Sequence, residues 1–66
     1  MKAPKKAILL SINQEFPIDV IHYRTGQITL KEKEKVYNTV SIKNVRFDYL
    51  GFSESEIRTF QNKFLK

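Results

Sequence analysis

A chain of 66 residues without cysteine is expected to form one small domain, 1–66, with neither a disulfide framework nor thiolate metal sites. Domains of this size bury only about 60% of the surface their unfolded chains expose, so the eight aromatics, five Phe and three Tyr, have to supply much of the core. Twelve Lys and Arg against seven Asp and Glu leave a net charge of +5, a field that attracts nucleic acid or an acidic protein surface.

The chain begins with a lysine-rich stretch, Met1 to Lys6, followed by the apolar run Ala7 to Leu10. That run is too short for a secretory signal and far below the roughly 20 apolar residues of a membrane-spanning helix. A cytoplasmic protein without membrane association is expected. Residues Ala3 to Gln14 read in two ways. Pro4 suits the first turn of a helix, and Ile8, Ser11 and Ile12 fall at helical spacing; Ile8-Leu9-Leu10 equally fits a short buried strand. The helix is the favoured reading. Either element ends near Glu15, because Pro17 pushes Phe16 out of the helical region.

Ile18 to Arg24 alternates as a strand with apolar residues on both faces, as in a small barrel. Thr25-Gly26 marks a tight turn, and Ile28 and Leu30 resume the alternation on the way back. Lys31-Glu32-Lys33-Glu34-Lys35 alternates in sign; on a continuing strand its lysines share one face and its glutamates the other, whereas in a loop it means only solvation. Val36 to Ile42 reads as a further strand, Lys43-Asn44 as a turn, and Val45, Phe47 and Tyr49 as one face of a strand closed by Gly51. Ser53 and Glu56 form a capping box. The helix behind it carries an apolar stripe of Ile57, Phe60, Phe64 and Leu65, with Glu54 and Glu56 near the positive end of its dipole and Lys63 and Lys66 near the negative end.

Catalytic material is scarce. His22 is the only histidine and lies within a strand between Ile21 and Tyr23, where a structural or surface role is the ordinary one. Two glycines, Gly26 and Gly51, cannot build a phosphate-cradling loop. No metal or cofactor is expected. The basic residues are more informative. Arg24, Lys31, Lys33, Lys35, Lys43 and Arg46 fall in the β half, interleaved with Tyr23, Tyr37, Phe47 and Tyr49. Cations that neutralise phosphates beside aromatics that stack on bases are the surface of a nucleic-acid-binding β-module. The competing reading makes the aromatics core, Phe47 first among them, and the lysines a solvated face. Lys2, Lys5 and Lys6 form a second basic cluster suited to backbone contacts.

The order of a short helix, Phe16-Pro17-Ile18-Asp19-Val20-Ile21-His22-Tyr23, a turn with Gly26 and a returning strand resembles the start of small Sm-like or SH3-like barrels, including the WYL-type domains of bacterial regulators. The resemblance covers the first half of the chain and implies a barrel that binds nucleic acid, nucleotides or protein. The chain departs from it in having no Trp-Tyr-Leu stretch and a helical tail, so no functional residue is carried over. In composition the chain also looks like the small accessory proteins of phages and plasmids.

These readings predict an α+β fold: a three- to four-stranded, mainly antiparallel sheet or open barrel, with a C-terminal helix and a short N-terminal helix. The expected function is a non-enzymatic, regulatory module that binds DNA or RNA through Arg24, Lys31, Lys33, Lys35, Tyr37, Lys43 and Arg46. The alternative is a small interaction factor, an inhibitor or adaptor, that binds a larger acidic protein. A thin core and open sheet edges also predict a homodimer, against which the charges of Lys31 to Lys35 stand as an edge-blocking device.

Overall fold

The computed structural model describes residues 1–64. Five strands precede one helix: β1 Lys6–Leu9, β2 Gln14–His22, β3 Gln27–Lys33, β4 Val36–Ser41, β5 Val45–Phe47 and α1 Glu54–Gln61, with a 3-10 turn, Ile42–Asn44, between β4 and β5. The strands form one antiparallel sheet in the order β4-β3-β2-β1-β5. The fold is therefore α+β, with an open sheet and a C-terminal helix.

The helix expected over Ala3 to Gln14 is not formed. Its place is taken by β1, the tight turn through Ser11, Ile12 and Asn13, and the start of β2. Tertiary pairing overrides the local pattern here. β1 is flanked on both sides, Ala7 opposite Phe16 and Phe47, and Leu9 opposite Gln14 and Val45, so its backbone groups have partners a lone helix could not give to that core. Asn13 takes the left-handed conformation, φ 51°, which asparagine tolerates better than most residues. Pro17 does not break β2. The Ile18 amide donates to the Lys5 carbonyl at 2.8 Å, so by antiparallel alternation the Pro17 nitrogen points away from β1. The β2–β3 ladder begins only at Ile18 opposite Leu30, and the missing N–H forfeits no bond.

β2 serves both halves of the sheet, pairing first with β1 and then with β3 across an irregularity between Ile18 and Val20. Extra residues of this kind bend a strand and raise its twist. The β2–β3 connection ends in Gly26 at φ 67°, whose amide donates to the His22 carbonyl at 3.0 Å and whose carbonyl accepts from the Ile42 amide at 2.9 Å. The β3–β4 hairpin turns through Glu34 and Lys35.

The interior face collects Ala7, Leu9, Phe16, Ile28, Leu30 and Val45, with Ile18, Ile21, Val40, Ile42 and Phe47 packed against them. Beside this core, aliphatic except for Phe16 and the adjoining Phe47, lies a second one made of rings. Phe60 of α1 is fully buried and meets Phe47 edge-on at 5.1 Å between centroids, with Tyr23, Tyr49 and Phe64 at 5.2 to 6.2 Å. Tyr49, expected within the last strand, lies beyond the end of β5, yet its ring still packs on Phe47, Phe52 and Phe60.

The capping box forms as expected: the Ser53 amide donates to Glu56 Oε1 at 2.8 Å and the Glu56 amide to Ser53 Oγ at 3.1 Å. Helix α1 stops at Gln61, so Phe64 reaches the core from the following turn and Lys63 stands past the helix end. Leu65 and Lys66, assigned by the sequence pattern to the stripe and the dipole, lie outside the described residues.

Candidate nucleic-acid interface

The register of β3 and β4 decides which of the basic and aromatic residues meet. The Ile42–Gly26 hydrogen bond makes that pair a hydrogen-bonded one, so Ile28–Val40 and Leu30–Asn38 are hydrogen-bonded as well. Thr29–Thr39 and Lys31–Tyr37 are then the close, non-hydrogen-bonded pairs, whose Cα atoms approach to about 4.5 Å. Ile28 and Leu30 point into the core; Thr29, Lys31, Tyr37 and Thr39 therefore share the solvent face. Lys31 stands directly across from Tyr37, a residue half exposed at 52%.

A hydrogen-bonded row runs beside this pair. His22 Nε2 lies 2.9 Å from Thr29 Oγ1, and Thr29 Oγ1 lies 2.8 Å from Thr39 Oγ1. Three strands thus contribute one polar group each to a line across the sheet, flanked by Lys31, Tyr37 and the exposed Val20. Thr29, Thr39 and His22 in this role escaped the sequence reading. The only available signal was the i, i+2 spacing of Thr29 and Lys31, which says nothing about the partner strand.

The remaining candidates are dispersed. Lys33 ends β3 after a register shift from Lys31, and Lys35 sits in the turn at φ 61°, so the three lysines do not form one straight row. Arg24 occupies the β2–β3 turn, at the opposite end of β3; that strand's seven residues set it ~20 Å from the Lys33 end. There it lines a cavity of about 550 Å³ with Met1, Tyr23 and Lys63. Lys43 belongs to the 3-10 turn, and Arg46 to β5 opposite Ile8.

Charge on the two basic surfaces is used differently. Lys2 is engaged: its Nζ donates to the Gly51 carbonyl at 2.7 Å, lies 3.9 Å from Glu56 and sits 4.5 Å above the Phe52 ring. The Ser53 amide, then Lys2, hold the Glu56 carboxyl below the usual carboxylate range. Among the described residues, ion pairs join Lys2 to Glu56 and Arg58 to Glu54. Arg24, Lys31, Lys33, Lys35, Lys43 and Arg46 enter neither. Glu32 and Glu34 alternate with the hairpin's three lysines, so the local excess is small but unspent. Burial pushes the Tyr23 hydroxyl up from its ordinary pKa, in keeping with a ring held in the aromatic core rather than offered to a ligand.

Among the described residues no cluster of His, Asp and Glu is arranged to hold a metal ion, and no helix is long and apolar enough to cross a membrane. No protein-family model matches the chain, and neither a curated protein nor a solved structure is significantly similar to it.

Proposed function

We propose that this protein is a non-enzymatic, regulatory nucleic-acid-binding module of the cytoplasm that engages DNA or RNA through the solvent face of β2, β3 and β4. The observation that carries this reading is the cross-strand pair of a cation that enters no ion pair among the described residues and an exposed aromatic, Lys31 opposite Tyr37, next to the His22–Thr29–Thr39 row. Lys31, Lys33 and Lys35 neutralise phosphates, Tyr37 stacks on a base, and the row offers hydrogen-bonding groups to sugar or base edges. Arg24, Lys43 and Arg46 lie apart from that pair, in the β2–β3 connection, the 3-10 turn and β5, and steer the polyanion from a distance.

The finer architecture belongs to the same proposal. An open barrel of the Sm-like or SH3-like kind is supported by β2 joining both halves of the sheet through its bulge, and by the short 3-10 turn that links the two edge strands. Closing the sheet would bring its two edge strands, β4 and β5, together.

Titration of a labelled oligonucleotide at several salt concentrations tests the binding reading. Affinity should fall steeply with salt, the logarithm of the constant losing about 0.7 to 0.9 per decade for each phosphate neutralised. Replacing Lys31, Lys33 and Lys35 together by Gln should lower that slope by about 2 to 3. An absence of binding to both single- and double-stranded DNA and RNA at low salt overturns the reading.

A further inference from the structure

The two edges of the sheet are unlike. β5 has three residues and lies beside the aromatic core, whereas β4 has six and pairs only with β3. Because Val40 and Asn38 bond to β3, the amides and carbonyls of Tyr37 and Thr39 point away from the sheet. Such a row is a template for another strand.

Alongside this edge the sheet leaves a groove of about 510 Å³. Leu9 at the end of β1, with Leu10 and Ser11 of the β1–β2 turn, lines one side, and Asn38 and Val40 of β4 with Lys43 and Asn44 of the 3-10 turn line the other. Leu10, exposed at 50%, gives an apolar landing across from Val40. The lining holds a cation and no carboxylate. Lys33 and Lys35 stand at the far end of β4 with Glu34 between them, so each end of the edge carries positive charge that enters no ion pair among the described residues.

We propose that the β4 edge and this groove receive an extended acidic segment of a partner protein, which adds to the sheet as an antiparallel or parallel strand. Main-chain groups of the incoming strand would bond to Tyr37 and Thr39. Its alternate apolar side chains would enter the groove over Leu10 and Val40, and its carboxylates would face Lys43 at one end and Lys33 and Lys35 at the other. Charge selects this occupant over a second copy of the chain, which brings another net charge of +5 to the same edge. The site shares Lys33, Lys35 and the main chain of Tyr37 with the proposed polyanion face, so an acidic strand and a nucleic acid would compete for it.

The test uses the full chain and a synthetic peptide, matched in length to β4, that alternates valine with glutamate; the same peptide with lysine in place of glutamate is the control. Amide chemical shifts and hydrogen exchange should show protection at Tyr37 and Thr39 with the glutamate peptide and not with the lysine one. Thr39→Pro removes an outward amide that β3 does not use, and should weaken peptide binding about tenfold. Leu10→Glu, at an exposed position that leaves the core intact, should do the same by placing a carboxylate in the groove. No protection at millimolar peptide overturns the proposal, as does peptide binding indifferent to both substitutions. Protection of the same amides without peptide, together with a sedimentation mass rising above 7.8 kDa as concentration increases, assigns the edge to a homodimer and overturns it too.

Discussion

The sheet half and the helix half of this molecule put their charges to opposite uses. Around α1 the charges are consumed by the fold. Glu56 closes the capping box, Arg58 reaches back one turn to Glu54 at 3.6 Å, and Lys2 ties the N-terminus to Gly51, Phe52 and Glu56. On the β2–β4 face the cations pair with nothing described, while hydroxyls and an exposed ring line up beside them. The hydrophobic contrast runs in parallel, mostly aliphatic side chains with Phe16 inside the sheet and a cluster of rings under the helix. A count of lysines therefore overstates the surface available to a polyanion; what matters is which cations the fold has left unspent.

The largest effect expected from breaking this division is Phe60→Ala. Its ring is fully buried and touches Tyr23, Phe47, Tyr49 and Phe64, so its loss should cost about 3–5 kcal/mol. For a domain of this length that is most of the total stability, which runs at roughly 0.05–0.15 kcal/mol per residue. Leu30→Ala, equally buried but in the aliphatic core, should cost about 2–5 kcal/mol. Thermal unfolding followed by circular dichroism compares them. If the halves form one cooperative unit, both variants lower a single transition. A Phe60→Ala variant that keeps the sheet's protected amides while losing the helix would divide the molecule into two independent parts.

Next in size is the helix cap. Ser53→Ala removes the acceptor of the Glu56 amide and should cost about 1 kcal/mol, read as a lower midpoint in urea. The acid limb has a definite sign. Glu56 titrates lower folded than unfolded, so its contribution is present above the ordinary carboxylate range and fades as pH falls through the lowered value. Glu56→Gln should flatten that part of the stability profile, while Glu54→Gln should leave it in place.

How far the sequence foretold this division depends on which signals are local. The Ser53–Glu56 box, the Gly26 turn and the Ile28, Leu30 alternation each depend on residues a few positions apart, and all three stand in the fold. β1 was not readable because four residues hold too few turns of either period, and its strand character comes from partners on both sides, Phe16 and Phe47, distant in sequence. Pro17 obscured the start of β2, since its tolerance rests on which way its nitrogen faces in the ladder. The Lys31–Tyr37 pair was hidden for a different reason. It depends on the hairpin turning at Glu34-Lys35, where no glycine or asparagine announces a turn, and on the register shift between Lys31 and Lys33. The residue types of the candidate face were visible; their meeting was not.

That hidden turn supplies a smaller test. Lys35 adopts φ 61°, a conformation costing a side-chain-bearing residue about 1–2 kcal/mol, from which the entropy of a glycine, roughly 0.5–1 kcal/mol, must be subtracted. Lys35→Gly should therefore stabilise the protein by about 0.5 kcal/mol, seen as a higher unfolding midpoint, while weakening nucleic-acid binding. Stability and binding would then move in opposite directions at one residue of the sheet half. A fall in stability would mean that the Lys35 side chain contributes to the fold and is not free for a ligand.

The smallest structural effect, and the sharpest test of that contrast, comes from exchanging one lysine in each half for glutamine. Lys2→Gln deletes the cation over Phe52, a contact worth about 0.5 kcal/mol at an exposed site, and should lower the unfolding midpoint slightly while leaving oligonucleotide affinity and its salt slope within error. Lys31→Gln should leave the midpoint where it was, because its ammonium has no partner among the described residues. It should lower affinity across all sequences and reduce the salt slope by about 1. Each substitution removes the same unit of charge, so a nonspecific field would respond equally to both. Equal losses of affinity would show that only the net charge matters and that Lys31 opposite Tyr37 has no special standing; unequal losses in the stated direction separate a charge the fold has used from one it has left free.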